Sequence, residues 1–167
     1  GIALGMAIFA GISGKLSNTI DARYLCTIAM FGVAITEAIL AIFISADAPI
    51  WLFAVSATVI GICIGLFQSP NGNSIMSAAP KEKLGIASAL HGLTTSVGIN
   101  LGTALSTAIL VLVAITYSKI NGSPPYGEVN YTIGLRWVFV VFAVITALGA
   151  ILSYFRGPEE RVDKVHI

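Results

Sequence analysis

The spacing of the charges constrains this chain more than any other feature. Residues 48–80, 84–118 and 137–155 contain no Asp, Glu, Lys or Arg, and residues 24–46 contain only Glu37. A helix needs about 20 mostly apolar residues to cross the hydrocarbon core of a bilayer, and these runs supply that length. They mix Leu, Ile, Val, Ala, Phe and Gly without the period-2 alternation of a membrane barrel, and they are apolar nearly all round, as lipid-buried helices are. The pattern predicts an all-α integral membrane protein with helices at 24–45, 50–72, 85–117 and 135–155. Residues 1–13 read as a truncated further span: the chain opens on Gly1 without a basic leader, which fits a fragment cut inside a helix better than a signal peptide. Residues 1–155 then form a bundle and 156–167 a tail.

Composition excludes the soluble alternatives. Charged residues are 10% of the chain and hydrophobic ones 56%, against about 25% charge in a soluble domain. A net charge of +1 offers no electrostatic basis for binding nucleic acid. Neither the two His nor the two Cys stand at metal-ligand or Cys–His catalytic spacing, and no phosphate-binding or dinucleotide motif occurs. No metal, cofactor or enzymatic activity is expected. Cys26 and Cys63 differ in predicted depth by about 9 Å, beyond the roughly 7 Å reach of a disulfide.

Lys and Arg in short loops set orientation. Lys15, Arg23, Lys81, Lys83, Arg156, Arg161 and Lys164 fall on one side of the predicted spans, and Lys119 and Arg136 on the other. Loops 14–23 and 80–84 and the C-terminal tail are therefore expected in the cytoplasm, with loops 46–50 and 118–134 outside. The outer loop holds two glycosylation sequons, at Asn121 and Asn130.

Glu37 is the one formally charged residue deep in a span, about 20 Å from the inner boundary. A carboxylate there costs at least about 2.5–3.5 kcal/mol, so it should face protein or a water-filled cavity. It is the candidate for proton coupling, with interhelical hydrogen bonding as the alternative; Asn100 and Thr58 reach the same depth as possible partners. In span 85–117, Ser88, His91, Thr95, Gly98, Gly102 and Ser106 form one stripe and Ser96, Asn100, Thr103 and Thr107 another. The first, with its GxxxG step at Gly98 and Gly102, is expected to pack a helix and the second to face a polar interior, or the reverse. A second GxxxG step, Gly61 and Gly65, leads into Phe67, Gln68, Pro70 and Asn71. Pro70 should kink or break the helix there, so that Phe67, Gln68, Asn71 and Asn100 become candidates for a substrate path.

Two stretches resemble the major facilitator superfamily. In residues 14–23, Gly14, Leu16, Ser17 and Arg23 match the G-x-L-S-D-R-x-G-x-R gating loop of those transporters, whereas Asn18, Thr19 and Asp21 replace its usual Asp, Arg and Gly. Residues 61–71, with Pro80 and residues 85–89, are similar to the fourteen-span drug:proton antiporter branch, with Leu84 where a basic residue is usual. The resemblance implies the last four and a half spans of a cell-membrane transporter whose N-terminal half is missing from this sequence. It also implies partners: lipid, protons and a small-molecule substrate. The leading functional expectation is proton-driven efflux of amphipathic compounds by alternating access. A facilitator-type uptake permease and a non-transporting membrane subunit are the alternatives.

The orientation is testable. In the full-length protein with Cys26 and Cys63 replaced, single cysteines at Ser123 and Lys83 should react with an impermeant maleimide from opposite sides of the membrane. Reaction of both in intact cells would overturn the assignment.

Overall fold

The computed structural model describes residues 1–17, 20–45, 47–122, 124 and 127–155. Its elements are five helices, α1 (Ile2–Leu16), α2 (Ala22–Phe43), α3 (Ile50–Ser77), α4 (Leu84–Asn121) and α5 (Glu128–Phe155), with one 3₁₀ turn at Lys81–Lys83. No strand occurs among the described residues. Four helices, α2 to α5, are long and apolar enough to cross a membrane, and α1 is a shorter apolar helix. The tail from residue 156 lies outside the described residues, as do Asn18 and Thr19 of the loop motif.

Local chemistry sets the ends. Pro49, in an extended conformation, is the N-cap of α3. Gly122 closes α4 in the left-handed region, at φ 65°, and its N–H bonds the Ser118 carbonyl at 2.9 Å; a side chain would be strained there. Several helices run past their uncharged cores: α4 starts at Leu84 and reaches Asn121, and α5 begins at Glu128. Of the kink or break expected at Pro70, the break does not occur. Helix α3 continues through Pro70 to Ser77 without a break, because the loss of one N–H is tolerable inside a helix whose neighbours hold it on both sides.

The helices form a row in the spatial order α1, α3, α2, α5, α4: α1 lies along α3, α2 packs on both α3 and α5, and α4 leans on α5 and touches α3 only lightly. Helix α2 is the most buried, and Ala114 is the only buried residue of α4. Glu37 therefore sits on the central helix.

Lipid offers no hydrophobic drive between helices, so small residues and hydrogen bonds to backbone carbonyls do the joining. At the α1–α3 contact a Cβ on Gly61 would strike the Ile2 backbone, one on Gly65 would lie 2.9 Å from the Met6 carbonyl oxygen, and one on Gly5 would lie 2.8 Å from the Ile62 nitrogen. The Ser13 hydroxyl donates to the Leu66 carbonyl at 2.7 Å across the same contact. Cys26 Sγ reaches the Phe67 carbonyl at 3.8 Å between α2 and α3. Both cysteines are buried free thiols. At the far end of α2, Arg136 Nη2 donates at 3.0 Å to the carbonyl of Ile44, the C-cap residue, where a cation also complements the helix dipole. Of the two sequons, Asn130 is buried and donates to the Pro124 carbonyl at 2.9 Å, while Asn121 is exposed.

In the full-length protein Gly61→Leu should lower the folded yield sharply, since overpacking costs about 1–3 kcal/mol, whereas Gly11→Leu, with nothing within 4 Å of its Cβ position, should not. Size-exclusion profiles in detergent measure the difference; equal monodisperse peaks would contradict this packing.

Candidate functional site

Glu37 opens onto a cavity of about 600 Å³ between α2, α4 and α5, lined by Thr95, Gly98, Gly102 and Ser106 from α4 and by Phe139 and Phe142 from α5. The Thr146 hydroxyl of α5 hydrogen-bonds the carboxyl. The other oxygen, Oε2, is shielded from solvent and has no partner among the described residues. Neither expected partner is used. Asn100 Nδ2 donates to the Ser96 carbonyl at 2.8 Å, and Thr58 Oγ1 to the Ala54 carbonyl at 2.8 Å, each within its own helix. Equal depth could not reveal that α5, and not α3 or α4, lies against this face of α2.

The two stripes of α4 border different spaces. Gly98 has nothing within 4 Å of its Cβ position and Gly102 only Phe142 Cε1 at 3.8 Å; they form the open wall of the Glu37 cavity, with no helix packed onto them among the described residues. Asn100, Thr103 and Thr107 line a groove of about 750 Å³ made of α4 residues alone, which shares Thr103 with the Glu37 cavity. Many α4 hydroxyls are satisfied locally: Thr94, Thr95, Thr103 and Thr107 each bond the carbonyl four residues earlier, at 2.8–2.9 Å. Hydroxyls bonded this way sit in an apolar setting at little cost.

A third cavity, of about 570 Å³, lies between α3 and α4, toward the Lys81 end, and brings Phe67 and Asn71 together with His91 and Thr94. Gln68, an expected companion, is exposed and lines none of these three spaces. His91 was legible in the sequence only as one member of a stripe; its place beside Phe67 and Asn71 needs the α3–α4 crossing. Thr95 borders both this cavity and the one holding Glu37.

The description "Major Facilitator Superfamily" belongs to the family model that matches residues 1–166. The chain belongs to the major facilitator superfamily. It is a multi-pass membrane protein of a transporter family, and these transporters are not enzymes. The riboflavin transporter RibZ of Clostridioides difficile (strain 630) is 27% identical over 150 residues, 90% of this chain and 32% of that protein. The methylenomycin A resistance protein of Bacillus subtilis (strain 168) is 30% identical over 115 residues, 69% of this chain and 24% of its own length. The chain thus spans between about a quarter and a third of these relatives. No solved structure matches it.

Within this major facilitator chain, the residues that resemble the gating loop surround the end of α1. Gly14 sits against α3, where a Cβ would lie 3.2 Å from Ser69 Oγ, and Leu16 ends the helix. Ser17 caps it, donating to the Gly14 carbonyl at 3.0 Å. Arg23 Nη2 donates to Tyr24 Oη at 2.6 Å, and its guanidinium carbon lies 4.5 Å from the Tyr24 ring centroid. No metal-binding cluster of three His, Cys, Asp or Glu exists among the described residues.

Thr146→Val should lower stability by about 1 kcal/mol, the scale of a hydrogen bond between membrane helices, by leaving Glu37 without its hydroxyl donor. Reversible unfolding in mixed micelles measures this; an unchanged midpoint would show that the bond contributes nothing.

Proposed function

We propose that the chain is the C-terminal part of a proton-coupled transporter that exports small amphipathic molecules by alternating access, with Glu37 as a proton-carrying group. The observation that carries this reading is Glu37, an ionisable carboxyl with one oxygen shielded from solvent and unpartnered among the described residues, lining a cavity between apolar helices long enough to span a membrane. A scaffold subunit has no need of an ionisable carboxyl there, since such a group is expensive in lipid and is retained where it functions. Phe67, Asn71 and His91 offer an aromatic face and polar groups in one cavity, a combination that suits a substrate with a planar ring system and polar edges. Asn100 belongs to the path only if the rest of the transporter closes over its groove. The small-residue steps at Gly61 and Gly65 hold α1 on α3, while Gly98 and Gly102 keep α4 open beside Glu37. The gating role of Gly14, Leu16, Ser17 and Arg23 is the family's, placed here at the cytoplasmic end. The protein resides in the cell membrane with its C-terminus in the cytoplasm, and a further half of the same polypeptide completes the translocation path.

The resistance protein among the relatives supports export. The relative described as a riboflavin transporter supports a second reading, movement of a planar vitamin-like solute. One experiment separates them. Full-length protein in proteoliposomes is loaded with ethidium or riboflavin under an imposed pH gradient, as wild type and as Glu37→Gln. The proposal expects gradient-driven movement of at least one probe, lost in Glu37→Gln while probe binding persists. Undiminished uphill transport by Glu37→Gln would reduce Glu37 to an interhelical hydrogen bond.

A further inference from the structure

We infer that His91 relays protons between Glu37 and the Lys81 end of the bundle, through the two cavities that meet at Thr95. The inference rests on the reading of Glu37 as a proton site and adds the route by which that site is filled and emptied. Three observations place the route. The Glu37 cavity and the α3–α4 cavity share Thr95 as a wall, so the two spaces adjoin along α4. Thr95 stands one helical turn from His91, and its hydroxyl donates to the His91 carbonyl at 2.9 Å. Glu37 lines the upper cavity, and its Oε2 is shielded from solvent with no partner among the described residues.

Glu37 lies about 22 Å along α2 from its start and His91 about 10 Å along α4 from its own, so roughly 12 Å of height separates them. That gap is too long for direct transfer and short enough for a few water molecules. Cavities of about 600 and 570 Å³ exceed many times the ~30 Å³ share of one water. Among the described residues, no other Asp, Glu, Lys, Arg or His lines either space. The groups around them are engaged or remote. On α5, Arg136 bonds the Ile44 carbonyl. On α2, Cys26 bonds the Phe67 carbonyl. On α3, Cys63 lies against Gly32. Lys15 lies in the last turn of α1, and Lys81, Glu82 and Lys83 precede α4 at the aqueous end.

The proton balance is simple. Glu37 releases one proton to the water file and becomes a carboxylate. One ring nitrogen of neutral His91 takes a proton from that file, and the other ring nitrogen gives one to water at the Lys81 end, which returns the imidazole to neutrality. A neutral imidazole has one ring nitrogen that accepts and one that donates, so it can carry both functions. The reverse sequence reprotonates Glu37.

The test needs no transported substrate. Full-length transporter in a lipid film is moved from H₂O to D₂O, and infrared spectroscopy follows the C=O stretch of protonated Glu37, assigned by its loss in Glu37→Gln. His91→Ala should slow the deuterium shift of that band by roughly 100-fold, the lower range for a positioned proton-transfer group, and imidazole in the buffer should restore it. Thr95→Val should slow it less. A wild-type rate in His91→Ala would overturn the relay, and so would a slow rate that imidazole does not restore, because the side chain would then act through packing. Absence of any Glu37-dependent carboxyl band would instead overturn the reading of Glu37 as a proton site.

Discussion

The solvent decides this structure. In hydrocarbon every backbone N–H and C=O needs an internal partner, so the chain is helix wherever it lacks charge, and the same solvent removes the hydrophobic drive that would otherwise press helices together. What holds the bundle is therefore short-range and specific. Gly5, Gly61 and Gly65 let two backbones meet, and Ser13, Cys26 and Arg136 reach carbonyls on neighbouring segments. The carboxyl of Glu37 is tolerable on these terms because it stands on the central helix, bonded on one side and facing a cavity on the other.

Helix α4 differs from the rest in a way that bears on function. Its hydroxyls bond its own carbonyls, and little of it is covered by the other described residues. A helix with that satisfaction pattern can slide or tilt against neighbours without breaking interhelical hydrogen bonds. Helices α1 and α3, locked through backbone-close glycines, cannot.

Much of the fold was legible because charge spacing and hydrocarbon thickness leave few alternatives: all five helices follow from it, and the family follows from the motifs around Gly14 and Gly61. The site was legible only in parts. Glu37 announced itself as a lone carboxyl at depth, but its partner Thr146 lies more than a hundred residues away, and only the helix order puts α5 beside it. The glycine step at Gly98 looks in sequence like the one at Gly61, yet only the latter meets a helix among the described residues. Pro70 carried a strong local signal for a break that neighbouring helices override. His91 was one polar residue among several until the α3–α4 crossing set it beside Phe67 and Asn71.

The central claim is that Glu37 holds an exchangeable proton inside a functioning transporter, and carbodiimide modification tests it most directly. Dicyclohexylcarbodiimide partitions into apolar surroundings and reacts with protonated carboxyl groups. Peptide mass spectrometry of the full-length protein in membranes should then find Glu37 modified, with active transport lost in proportion to the modified fraction. Modification of other carboxyls with Glu37 untouched, or full modification of Glu37 with transport intact, would contradict the account.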